Sequence, residues 1–141
     1  MKRVIDSSVA FKWVVPETDS DKALLLRDDF RNGLVELIAP DIFPIEIGHA
    51  LTRAERQGRI PVGSAIPLLR DILNTLPLLQ PSLSELLRAV EISSQMRVGA
   101  YDCLYVALAE LEKCDLVTAD DKLVKNLQSY FPFIVSLGSL P

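Results

Sequence analysis

Four short apolar runs alternate along this chain with stretches of helical periodicity, and that alternation narrows the fold more than any other feature. The runs are Lys2–Asp6, Leu34–Ala39, Asp115–Thr118 and Phe133–Leu137. An apolar run of roughly four to eight residues bounded by turn residues reads as a buried strand. The first helical stretch, Ser7–Val15, is closed by Pro16, and the second, Asp19–Asn32, is stopped by Gly33. In the second, Leu24, Leu25, Leu26 and Phe30 make the apolar side. Asp41 can cap a long helix that tolerates Pro44 in its first turn and ends near Gln57, before Gly58. Ser64–Leu76 follows; then SLSE at Ser82–Glu85, a capping box, opens a helix to about Met96. Tyr101–Cys114 and Asp121–Tyr130 complete the helices. Strands separated by helices predict a mostly parallel α/β sheet covered on both faces. The length, 141 residues, predicts one domain over 1–141.

Composition excludes several classes. Hydrophobic residues make up 49% and charged residues 24%, a soluble globular balance. The apolar stretches are shorter than the roughly 20 residues a membrane span needs. The first run, MKRVID, stops at Asp6 and reads as a strand, not a signal peptide. Cys103 and Cys114 share one apolar helical pattern, which predicts buried thiols in a reducing cytoplasm over a disulfide. The net charge of −4 argues against a protein that coats nucleic acid. It leaves room for an enzyme whose acids bind a metal and whose basic residues are local. Arg53, Arg56 and Arg59 are one such cluster, although cations near a helix C-terminus are also favoured by its dipole.

The candidate chemistry lies in four acids: Asp6 in VIDSSV, Glu46 in PIEIGHAL, Asp102 in AYDCLYVALA and Asp120 in LVTADDKL. Each sits in or beside an apolar run, where an unpartnered carboxylate is unfavourable. Three fall where a strand or loop hands over to a helix, the edge at which α/β clefts open. Singly, Asp6 and Asp120 read equally as N-caps, with Asp121 sharing the latter role, and Asp102 as a first-turn acid. Glu46 has no capping duty, and a surface-facing glutamate is its plain alternative. Together they would repel one another unless a hard divalent cation neutralised them. Ser7, Ser8 and Thr118 place hydroxyls beside them that can orient a carboxylate. Oxygen ligands without a Cys or His cluster indicate Mg2+ or Mn2+, not zinc. His49 is the only histidine and no Gly-x-Ser-x-Gly elbow occurs, so a Ser-His-Asp hydrolase lacks its parts. No Gly-rich phosphate loop is present.

In this order, VIDSSVAFKW, PIEIGHAL, AYDCLYVALAE and LVTADDKL closely resemble the PIN-domain nucleases, and among them the VapC-type toxins of toxin–antitoxin pairs. The resemblance covers essentially the whole chain. It implies an α/β/α sandwich with a central, mostly parallel sheet and an endoribonuclease that depends on Mg2+ or Mn2+. It implies Asp6, Glu46, Asp102 and Asp120 as catalytic, metal-binding acids, with Ser7 and Thr118 in support and Asp121 adjacent. Two departures bear on substrate preference: relatives often carry Asn near His49 and Ala where Cys103 stands. Lys12, Arg53 and Arg97 are then candidate phosphate contacts, and Trp13 either stacks a base or packs in the core. The implied partners are an RNA substrate (tRNA among the candidates), a small antitoxin and a second copy of the chain. The implied location is the cytoplasm. The Leu-rich segment Leu68–Leu79 would serve those contacts or the core. Two competing readings are a PIN-like fold that binds RNA or protein without cutting, and a DNA-directed nuclease.

Overall fold

Lys2–Ile5 forms strand β1, and its Val4 and Ile5 are fully buried. Asp6 caps helix α1, Ser7–Val14, which gives way at Val15 ahead of Pro16. Helix α2, Ser20–Arg31, ends before Gly33, whose φ of 72° is the left-handed turn that glycine adopts freely. Strand β2 is Glu36–Pro40, helix α3 Phe43–Arg56, helix α4 Ala65–Leu73 and strand β3 Leu78–Gln80. A 3-10 turn at Ser82–Glu85 leads into helix α5, Leu86–Met96, and helix α6 is Ala100–Glu112. Strand β4, Asp115–Thr118, helix α7, Asp121–Leu127, and strand β5, Ile134–Ser136, complete the order, with a closing 3-10 turn at Leu137–Ser139. The computed structural model describes residues 1–141.

The sheet is parallel throughout, in the order β3-β2-β1-β4-β5. Helices α1 to α4 pack on one another as one layer, while α5 packs on α6 and α6 lies across β1, β2 and β4 as the other. The result is an α/β/α sandwich. Strands sandwiched this way are apolar on both faces, so Leu37, Ile38, Ala39, Leu116 and Val117 read as unbroken apolar runs. One contiguous cluster of 35 buried residues fills both interfaces. The chain winds outward from β1 to β3, then returns to place β4 on the other side of β1. The carboxyl ends of β1 and β4 therefore flank a topological switch point, where α/β sheets open a crevice.

Several local expectations differ from the structure. Strand β3 has no counterpart in the sequence reading: three residues after Pro77 carry no periodicity, and only pairing with β2 makes them a strand. Asp41 does not cap α3. Its Oδ1 accepts from the Ser82 amide and hydroxyl, so it joins two loops instead. That contact also removes Ser82 from the capping box, and Ser82–Glu85 becomes a 3-10 turn with Glu85 buried. On α2, Leu24 and Leu25 are exposed, whereas Ala23, Leu26 and Arg27 face inward. Trp13 is a core residue and not a stacking platform. It is 5% exposed, its indole N–H donates to the Ala23 carbonyl at 3.0 Å, and the Arg27 guanidinium covers its ring. Cys103 and Cys114 are free thiols, and burial pushes the Cys103 thiol up to about 11. No helix is long and apolar enough to cross a membrane.

Candidate active site

Asp6 leaves β1 in extended backbone, with φ −97° and ψ 175°, and caps α1. An N-cap side chain reaches the amides two or three residues on, so its Oδ1 accepts from the Ser8 amide at 3.1 Å and from the Ser8 hydroxyl. Its Oδ2 accepts from the Thr118 hydroxyl. The β1–β4 register makes this contact: Ile5 pairs with Val117, so the next residues, Asp6 and Thr118, meet across the switch point. The Ser8 and Thr118 hydroxyls also accept from the Ala119 and Asp120 amides, at 2.9 and 3.0 Å. One web thus ties the β1–α1 loop to the β4–α7 loop. The supporting serine is Ser8; Ser7 lines the cleft and makes no hydrogen bond to an acid. The capping rule itself selects between the two serines, because position Ncap+2 lies at the carboxylate and Ncap+1 does not.

Asp6 is 6% exposed. Burial raises its carboxyl to about 7, the Ser8 and Thr118 hydrogen bonds oppose that rise, and nearby Asp102 and Asp120 add to it. Asp120 caps α7 through Oδ1, accepting from the Lys122 and Leu123 amides at 3.0 and 3.2 Å. Capping and membership of the acid group thus coexist at Asp6 and Asp120. Asp102 sits in the first turn of α6; burial raises its carboxyl, and Asp120 raises it further. Asp121 is exposed and makes no side-chain hydrogen bond to the group.

Glu46 lies half-buried on α3, and its Oε1 accepts from the Tyr105 hydroxyl at 2.6 Å. Burial raises its carboxyl, the Tyr105 hydrogen bond and His49 lower it, and Asp102 raises it. Tyr105 is 1% exposed, and burial together with Glu46 drives its hydroxyl far above the ordinary tyrosine range. The sequence reading did not single out Tyr105. Its signal was present: a tyrosine inside the apolar run CLYVALA needs a partner for its O–H.

A cleft of about 830 Å3 opens over this group. Glu46, His49, Ala50, Arg53 and Gln57 line it from α3, and Ser8, Phe11 and Lys12 from α1. At a rise of about 1.5 Å per residue, Arg53 lies about 10 Å beyond Glu46 along that wall. Of the four acids only Glu46 faces the cleft. The other three do not line it, although their chain neighbours Ser7, Tyr101 and Ala119 do. Lys12 and Arg53 of the expected phosphate contacts are in the wall. Arg97 is not; it is the left-handed C-cap of α5, with φ 59°. Arg56 likewise falls outside the lining, whereas Arg59 belongs to it.

No lysine or arginine pairs with Asp6, Glu46, Asp102 or Asp120. Mutually repelling carboxylates, withdrawn from water without a cationic partner, are a donor set suited to a hard divalent cation. No three of them stand close enough to form a ligand set by themselves. Asp120 Oδ2 and one lone pair of Asp6 Oδ2 are free of the capping web.

The PIN domain model of protein families matches residues 3–126. Ribonuclease VapC3 of Pyrobaculum aerophilum is 29% identical over 138 residues, which are 96% of this chain and 99% of that protein. The crystal structure of PAE2754, also from Pyrobaculum aerophilum, aligns with a TM-score of 0.69 at 20% identity, over 99% of this chain and 94% of the other. That likeness shows the fold.

Proposed function

The chain belongs to the PIN-domain family, and we propose that it is a metal-dependent endoribonuclease of the VapC type that hydrolyses RNA phosphodiester bonds. What supports this reading is a set of carboxylates near the switch point, with Glu46 in the cleft wall, Asp102 and Asp120 raising the Asp6 carboxyl, Asp102 raising that of Glu46, and no protein cation paired with any of the four. Similarity to Ribonuclease VapC3 across nearly the full length of both chains supports RNA as the substrate.

In this reading carboxylates of Asp6, Glu46, Asp102 and Asp120 would hold Mg2+ or Mn2+, completed by water or substrate oxygens, and the ion would supply a water of lowered pKa and offset charge on the phosphate. The protein's own groups prepare the site. Ser8 and Thr118 hold both oxygens of Asp6 and leave one lone pair of its Oδ2 unengaged. Tyr105 fixes Glu46 from below, so the carboxylate on the cleft wall has one orientation. Lys12 and Arg53 supply positive charge along the cleft for the RNA backbone. We further propose a small antitoxin as the cognate partner, the pairing that gives VapC proteins their toxin role, together with a homodimer and a cytoplasmic location.

Purified protein free of antitoxin, incubated with total RNA or tRNA in Mg2+, Mn2+ or EDTA, tests the activity. Cutting that needs metal and disappears in Asp6→Asn is the expected result. Metal binding without any cutting would instead favour a PIN fold that only binds.

A further inference from the structure

Lys12 stands in the cleft wall with only 14% of its side chain exposed. A lysine is seldom withdrawn that far from water without an anion. Its partner is Glu17, whose Oε1 lies 3.3 Å away, and the other oxygen of the same carboxylate takes Arg59 Nη2 at 2.7 Å. Glu17 follows the end of α1 and Arg59 follows the end of α3, so one carboxylate bridges cations carried on both walls. The Arg59 guanidinium is held over the Phe11 ring, 5.4 Å from its centroid. Arg53 lines the same cavity and has no ion pair at all. Glu17 and Arg59 remain open to solvent at 30% and 47% side-chain exposure, where ion pairs add little to stability, so the bridge is poorly explained as a staple. A carboxylate with one cation on each oxygen does match what the two non-bridging oxygens of a phosphodiester present.

We propose that Lys12, Arg53 and Arg59 form a phosphate subsite for single-stranded RNA, and that Glu17 occupies it in the free protein as an internal substitute for the phosphodiester. Arg53 lies about 10 Å from Glu46 along α3, so the subsite takes a phosphate flanking the one that is cut. Substrate displaces Glu17, and the strength of the Glu17 bridge sets how tightly a strand must bind to enter. The inference rests on the reading of the cleft as an RNA site.

Fluorescence anisotropy of a labelled single-stranded oligoribonucleotide in EDTA separates binding from cutting. Glu17→Gln is expected to bind about two- to fivefold more tightly than the parent, the scale of one exposed ion pair. Its slope of log affinity against log salt should steepen by about 0.7 for each cation freed to a phosphate. Adding Lys12→Gln to Glu17→Gln should remove the gain, and Arg53→Gln alone should weaken binding. Should Glu17→Gln melt too low to assay, Glu17→Asp is the second variant; its shorter side chain cannot span both cations, and it should shift affinity the same way. Unchanged or weaker binding by a folded variant, or no binding by parent and variant alike, overturns the subsite. Metal-dependent cutting lost in Asp6→Asn, beside an unresponsive Glu17→Gln, would discard the subsite and leave the nuclease standing. Tighter binding without any cutting would do the reverse.

Discussion

Asp6 is the most deeply buried of the four acids of the proposed site. Its carboxyl titrates near 3.8 when unfolded and about 7 when folded. Between those values the folded chain keeps a proton that the unfolded chain has released. The Asp6 contribution to stability without divalent metal should therefore be fully present below about pH 4, be lost as pH rises to about 7, and level off above that, a loss on the order of a few kcal/mol. Thermal unfolding in EDTA across that range measures it. Asp6→Asn keeps a good N-cap and removes the charge, so its stability should fall less with rising pH than the parent's and its melting temperature should lie above the parent's at about pH 8. Thr118→Val deletes the donor to Asp6 Oδ2 and should cost about 1–3 kcal/mol, more at about pH 8 than at about pH 5, because the ionised carboxylate depends on that donor. Tyr105→Phe tests the hold on Glu46: a loss of activity larger than the loss of stability is expected, and equal losses would reduce Tyr105 to a packing residue. Ser8 and Tyr105 show why the site was only partly legible. The acids announce themselves as charges in apolar runs, but the hydroxyls that hold them are ordinary residues until the fold brings them within reach.

At the scale of elements, boundaries were readable and facings were not. Proline and glycine act through their own φ preferences, so the ends of α1 and α2 fall where Pro16 and Gly33 put them. Three leucines in succession, Leu24 to Leu26, do not say which faces inward. The answer comes from Arg27, whose Nε donates to Thr75 Oγ1 at 2.5 Å and whose Nη2 donates to Asp71 at 2.6 and 2.9 Å, while its guanidinium lies over the Trp13 ring, 4.9 Å from the centroid. This arginine turns α2 so that Leu26 is buried and Leu24 is not. Arg27→Ala should cost about 3 kcal/mol by leaving the buried Thr75 hydroxyl unpaired and uncovering the Trp13 ring, and Arg27→Lys should recover little of it, since an ammonium reproduces neither the fork nor the cover over the ring. Chemical denaturation of both variants checks this, and full recovery by lysine would show that charge alone matters. Asp41 failed as a cap for a similar reason: Ser82, distant in sequence, offered its carboxylate two donors.

At the scale of the whole molecule, the acids belong to elements spread from β1 to α7, and like charge pushes them apart. Millimolar Mg2+ or Mn2+ should raise the melting temperature of the parent, by about 2.7 kcal/mol of stabilisation at a hundredfold excess over Kd. Asp6→Asn should blunt the response; an unmoved parent curve would leave the proposed metal site without support. The alternation of strand and helix, the turns at Pro16 and Gly33, and the placing of acids at strand ends were determined by the sequence itself. They depend on backbone preferences and caps acting over a few residues, which any stretch of chain carries with it. The tertiary structure decided the pairing of β3, the facing of α2 and the meeting of Tyr105 with Glu46. It also set Asp6 against Thr118, 112 residues away. Such contacts exist only once the sheet order and helix packing are settled together, because each depends on the space and the unpaired groups that all the other elements leave.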